Sequence, residues 1–240
     1  MNAGRAGKTE LLKQRYLHID ETHVQVLKEP GRKNTSDSYM WVYCSIRDAV
    51  NSIRYFEYQP GRSGKYPEAF LREYEGYIHT DAYSGYNAVS GVKRCLCYTH
   101  LRRAFVDALP KDIHNSEASK AAEAILRLNQ LFNIESELEA LPPDQKKKER
   151  LIREKPLLEA FWSWAEKSAI GELPKSKLSK AFHYALNNRE GFWNYLEDGN
   201  CSISNSLAEN CIRPFVIGRK NWLFSGSPKG AEASAGIYTL

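Results

Sequence analysis

The chain changes character near His100. Before that point its apolar residues fall in short alternating runs rich in β-branched and aromatic side chains; after it, as far as Gly199, they recur with helical spacing. A single chain of 240 residues must therefore fold one sheet together with a block of helices. YLHIDETHVQVL (16–27) alternates at Leu17 and Ile19 and again at Val24 and Val26, and YMWVYCSI (39–46) and SIRYFEY (52–58) are strand-like in composition. The connections between these runs are turn chemistry too short for a crossover helix, so an antiparallel meander is expected. After the loop QPGRSGKYP, PEAFLREYEG predicts a helix stopped by Gly76, and YIHTD predicts a short strand ending on Asp81. AYSGYNAV reads as a turn into a short helix and RCLCY as a fifth strand. Four helical stretches follow, interrupted at Pro142-Pro143 and at 171–174.

Composition narrows the class. A hydrophobic content of 42% with 12% aromatics supports a real core rather than a disordered chain. The five cysteines are odd in number and scattered, which argues against a disulfide framework and for a reducing compartment. No apolar run approaches membrane-spanning length, and the start MNAGRAGKTELLKQR lacks the apolar core of a secretory signal. The expectation is a soluble, cytoplasmic protein with no membrane partner. A net charge of +5 is compatible with a polyanionic partner without requiring one.

Three antiparallel strands, helix, strand, helix, strand and then helices is the element order of a ribonuclease-H-like α/β fold, a mixed sheet flanked by helices. The expected division is an N-terminal extension (1–15), a first part of the core (16–111), an all-helical insertion (112–199) and a last part (200–240) carrying the final catalytic helix and a basic tail. In that fold the acids lie on the first strand, the fourth strand and a late helix. Asp20, Asp81 and Glu209 occupy such places. Two Mg2+ ions about 4 Å apart activate a nucleophile and stabilise a leaving oxyanion at phosphorus, and a few hard carboxylate ligands suffice to hold them. Position in the expected fold gives Asp20 the bridging role and makes Asp81 and Glu209 the outer ligands.

Neighbouring residues qualify these choices. Glu21 is adjacent to Asp20, and successive strand residues point to opposite faces, so only one of the two can face such a site; the residues alone leave that tie open. Asn205, Glu209 and Arg213 recur every four residues as one polar stripe, which would put Asn205 and Arg213 near substrate phosphates. Arg219, Lys220, Trp222 and Lys229, in a Gly- and Ser-rich stretch, and the pair Arg102-Arg103 are further candidates for DNA contact. Each feature has a plainer alternative: single acids at strand ends are usually solvated, and charged helix faces such as KKKERLIREK usually are too. Trp162, Trp164 and Trp193 read as core rather than base-stacking platforms. Cys97 and His100 make half a zinc site without a second half.

Together LHIDETHVQVLKEPGR, YIHTDAYSGYN, THLRRAF and ISNSLAENCIRPFVIGRKNWLFSGSPKGAEASA resemble the insertion sequence 66 family of DDE transposases, over nearly the whole chain. The resemblance implies a ribonuclease-H-like catalytic core of a longer bacterial protein, with Asp20, Asp81 and Glu209 as its triad, and it breaks the tie in favour of Asp20. It also implies divalent-metal-dependent cleavage at transposon ends, using Mg2+ or Mn2+, followed by attack of the freed 3′-hydroxyl on target DNA. Double-stranded DNA is then the partner, and a homo-oligomer is expected, because two ends must be paired. The competing expectations are a ribonuclease-H-like nuclease acting on branched or hybrid nucleic acid, and a non-catalytic DNA-binding remnant.

Overall fold

The computed structural model describes residues 3–47, 49, 51–112 and 119–239. Contacts divide the chain into two compact units, one of residues 1–94 with 205–240 and one of residues 95–204. The segment 113–118, which the sequence assigns to the helical insertion, lies outside the described residues.

The first unit is built on a six-stranded mixed sheet. Strands β1 (Tyr16–Val26), β2 (Asp37–Ser45) and β3 (Arg54–Gln59) form the expected antiparallel meander, with Ile19 opposite Tyr43 and Val42 opposite Phe56. β4 (Gly76–Thr80) returns parallel to β1, pairing His79 with His18, and β5 (Val92–Leu96) lies beyond it, giving the order β3-β2-β1-β4-β5. β2 is buried at nearly every position because the sheet is covered on both faces. On one face Val24, Met40, Val42, Cys44 and Phe56 pack against two late helices of the chain, through Cys211, Ile212, Phe215, Ala231 and Ala235. On the other, Leu17, Ile19, Trp41 and Tyr43 pack against Phe70 of α2 (Lys65–Phe70) and Leu11 of α1 (Ala3–Leu11). The N-terminal segment, expected only as an extension, thus contributes a helix whose Leu11 is fully buried.

The second unit is helical: α3 (Tyr98–Val106), α4 (Lys120–Glu137), α5 (Pro143–Glu149), α6 (Lys155–Ala169), α7 (Lys177–Asn187) and the short α8 (Arg189–Trp193). α5 and α6 are joined by a π turn, Arg150–Glu154, ahead of Pro156, which has no N–H to give the ladder. Trp162 packs among Phe161 and Phe192 as core, as its helical spacing predicts. The basic run KKKERLIREK is not simply a solvated face. Arg150 is fully buried and grips both carboxylate oxygens of Glu135, at 2.6 and 2.8 Å. It also donates to the carbonyls of Tyr195, Asp198 and Cys201.

The chain then re-enters the first unit with α9 (Ser206–Trp222), β6 (Phe224–Ser225) and α10 (Pro228–Tyr238). β6 pairs with the end of β1, Val26 opposite Ser225, and α10 is capped by the Ser227 hydroxyl, which accepts from the Gly230 N–H. The Gly- and Ser-rich stretch after Trp222 is therefore mostly a strand and a capped helix. Among the described residues no helix is long and apolar enough to cross a membrane.

Candidate functional site

All three predicted acids belong to the first unit, and the sheet explains how residues so distant in sequence come near. β1 places Asp20 beyond Ile19, on the face covered by α9, and the pleat sends Glu21 to the opposite face. β4 runs parallel to β1 and ends at Thr80, so Asp81 leaves the sheet beside Asp20 and Glu21. Glu209 lies in the first turn of α9.

Their charges meet at Asp20. Its carboxyl is pushed up to about 8, by burial first, then by the Glu21 carboxylate and, more weakly, by Asp81 and Glu209; the Glu21 N–H, donated to Oδ1 at 2.9 Å, opposes the rise. No cationic side chain pairs with Asp20 among the described residues. Glu21 is also pushed up by burial, but its charge is answered: Tyr86 donates to Oε2 at 2.5 Å, and Arg62 donates through Nε to Oε1 at 2.6 Å. The neighbours Asp20 and Glu21 thus differ in kind, one buried without a cation and one committed to an arginine.

The Asp81 turn is held by β5. Arg94 donates to Thr80 Oγ1 and to the carbonyls of Asp81 and Tyr83, at 2.6–2.8 Å, while Asp81 Oδ1 accepts the Tyr83 N–H at 3.0 Å. The start of α9 is held by Asn205. Its Nδ2 donates to the Ile19 carbonyl at 2.8 Å, which leaves Oδ1 to accept from His18 Nδ1 at 2.9 Å. His18 is therefore protonated on Nδ1, and burial keeps it neutral by driving its pKa down to about 4, against the pull of Asn205. Its ring stacks on that of His79, 4.2 Å away.

The polar stripe of α9 runs from core to solvent. Asn205 is 1% exposed and spent on β1, so it positions the helix instead of reaching for a phosphate, which corrects the expected DNA contact. Arg213 is exposed, as are Lys220 and Lys229. Arg219 is half-buried and donates to Thr22 at 3.1 Å, and burial lowers its pKa. Trp222, partly buried, packs on Phe215 beside the core. In the second unit, Arg102 donates to Asn129 at 2.7 Å and Arg103 is exposed. Cys97 is buried at the cap of α3, as the core reading of that cysteine predicts.

Arg62, Tyr86 and Arg94 are the residues that the sequence did not single out. They stand in turns and at an edge strand, where no periodicity marks them; only the acid beside Asp20 hinted that a second charge needed a partner. The acids whose charges reach Asp20 offer the oxygen donors that suit hard divalent cations such as Mg2+ or Mn2+, but among the described residues no three of Asp20, Glu21, Asp81 and Glu209 bring their oxygens within 4.8 Å of one another.

The fold is a mixed α/β unit on a six-stranded sheet, with Asp20 inside β1, Asp81 just past β4 and Glu209 in the first turn of α9. The chain belongs to the transposase IS66 family, whose pattern it matches over residues 2–233. It is similar to two uncharacterized proteins of Sinorhizobium fredii: y4hP, 28% identical over 93% of this chain and 44% of that protein, and y4qI, 29% identical over 92% and 43%. The chain thus spans less than half the length of these curated relatives. No solved structure matches it significantly.

Proposed function

We propose that the chain is the catalytic domain of a DDE transposase, with Asp20, Asp81 and Glu209 as the residues that hold two divalent cations. The observation that carries this reading is Asp20: buried, without a cationic partner, and raised to about 8 within reach of three other carboxylates. Such an arrangement is costly for a protein to keep unless an external cation joins it. Membership in a transposase family supports reading that cation as divalent and the substrate as DNA. The strand order β3-β2-β1-β4-β5, with β1 antiparallel to β2 and parallel to β4, supports a ribonuclease-H-like core. The helices of residues 95–204 are then an insertion ahead of the acid-bearing α9.

In this reading Asp20, Asp81 and Glu209 would hold the cations, Asp20 as the ligand they would share. The bound cations supply Lewis-acid activation of a water or 3′-hydroxyl and stabilise the departing oxygen. The protein's own contribution is positional. Arg94 fixes the turn that aims Asp81, Asn205 fixes the helix that aims Glu209, and neutral His18 buttresses Asn205 without adding charge. Arg213, Lys220 and Lys229 offer exposed positive charge to double-stranded DNA. The whole transposase acts as a homo-oligomer in the cytoplasm, where two transposon ends are cut and joined to target DNA.

Nicking of supercoiled plasmid in Mn2+ tests this. Wild type is expected to nick, and Asp81→Ala and Glu209→Ala to lose the activity at least about a hundredfold. Wild type that neither nicks nor binds Mn2+ contradicts the catalytic reading.

A further inference from the structure

Arg62 stands in the loop between β3 and α2, in a stretch that the sequence marks only as turn. Its backbone is held from two sides. Trp41 Nε1 donates to the Gly61 carbonyl at 3.4 Å, and the Tyr83 hydroxyl donates to the carbonyl of Arg62 itself. The guanidinium lies over the Tyr83 ring, 4.0 Å from its centroid. Nε and Nη2 both reach Glu21 Oε1 at 2.6 Å, and Nη2 lies 3.5 Å from Asp81 Oδ2. Glu21 is 2% exposed at its side chain, whereas that of Arg62 is 38% exposed, and Arg62 Nη1 has no partner among the described residues.

A guanidinium fixed along one edge by a buried carboxylate, stacked on an aromatic face and open along its other edge is preorganised to receive a second oxyanion such as a phosphate. Two carboxylates, Glu21 and Asp81, stand beside this guanidinium, and a phosphodiester approaching them meets repulsion unless a cation receives it. We infer, on the reading of the acids proposed above, that Arg62 contacts a DNA phosphate at the rim of the acid cluster, and that Glu21 is its positioning residue. The two adjacent acids of β1 then have separate work: Asp20 toward the divalent cations, Glu21 toward the arginine that receives the nucleic acid.

The experiment is binding of a short fluorescent duplex in EDTA across a salt series, by anisotropy, with Mn2+ binding measured separately by electron paramagnetic resonance. The proteins compared are wild type, Arg62→Ala, Arg62→Gln, Arg62→Lys and Glu21→Gln. Arg62→Ala is expected to bind about tenfold more weakly at low salt. Its plot of log affinity against log salt is expected to be shallower by about one unit. Arg62→Gln, which can still hydrogen-bond Glu21, shows the same loss of slope, so the result does not hinge on one variant's folding. Arg62→Lys keeps the slope. Glu21→Gln weakens binding while Mn2+ binding persists. A slope unchanged in both neutral variants, or a wild type that binds no duplex, overturns the inference. Mn2+ bound normally alongside an unchanged slope removes the Arg62 contact alone. An Arg62-dependent slope in a wild type that binds no Mn2+ removes the metal reading alone.

Discussion

The two units each bury acids, and they resolve the cost in opposite ways. In the helical unit Glu135 and Glu154 share one fully buried arginine, and Arg150 meets Glu135 through two short parallel hydrogen bonds. That pairing, strongest among the forces that oppose burial, holds Glu135 below the usual carboxylate range. Glu154 is pushed well up, by burial first and then by the charge of Glu135, and Tyr195 donates to it at 2.6 Å. Glu135 is thus answered inside the protein by Arg150, while Glu154, with Oε1 buried and unbonded, is held toward its neutral form. In the sheet unit the charges of Glu21, Asp81 and Glu209 all act on the buried Asp20, and Arg62 answers Glu21 while touching Asp81 only at 3.5 Å. Buried acids as such therefore say little about function. What distinguishes a cation site from a structural ion pair is whether the charge is balanced by the chain itself.

Removing the balance in the helical unit gives the largest effect. Arg150→Ala leaves Glu135 buried without its partner and is expected to cost about 3–5 kcal/mol in urea unfolding followed by circular dichroism. The matching addition in the sheet unit comes next. Saturating Mn2+ at pH 8, at about a hundred times its dissociation constant, is expected to stabilise the protein by about 2.7 kcal/mol in a thermal melt, with no such gain in Asp20→Asn. Asn205→Ala unties α9 from β1 and leaves the Ile19 carbonyl and His18 without their partner; a loss of about 1–3 kcal/mol in the same unfolding assay is expected.

The pH dependence sharpens the comparison further. Asp20 titrates at about 8 when folded, against an ordinary 3.8, so between those values the unfolded chain has released a proton that the folded chain retains. Metal-free stability is therefore highest, for this group, below about pH 4 and declines as pH rises toward 8. Glu154 contributes with the same sign, because its pKa is also raised. Asp20→Asn and Glu154→Gln should each flatten the pH dependence of the melting temperature, by roughly 2–4 °C per kcal/mol removed. Divalent cation should flatten only the part that belongs to Asp20.

Much of the sheet was legible because its strands obey local rules, alternation in 16–26 and turn chemistry before 37; the helix expected to run to Gly76 instead ends at Phe70, and Gly76 opens β4. The acids were legible because strand ends and a helix first turn are places where carboxylates can be aimed. The first helix was not, since residues 3–11 carry few apolar side chains and are held by the burial of Leu11 and the packing of Lys8 over Phe70 at 4.0 Å. Arg150 was read as part of a charged run because helical charge patterns do not reveal which basic residue faces inward. Asn205 and Glu209 share a stripe, yet only the tilt of α9 against β1 decides that the first is buried and the second half-exposed. Arg62 escaped because a loop arginine gains meaning only from what the fold sets beside it.

The most direct test of the acid cluster is the stoichiometry of Mn2+ binding at pH 8, measured by electron paramagnetic resonance on wild type, Asp20→Asn, Asp81→Ala, Glu209→Ala and Glu135→Gln. Two ions on wild type, with binding abolished in Asp20→Asn, weakened in Asp81→Ala and Glu209→Ala and unchanged in Glu135→Gln, is the expected result. Binding that survives in Asp20→Asn, or that is lost equally in Glu135→Gln, would contradict the claim that the sheet unit alone leaves its charge for a cation to balance.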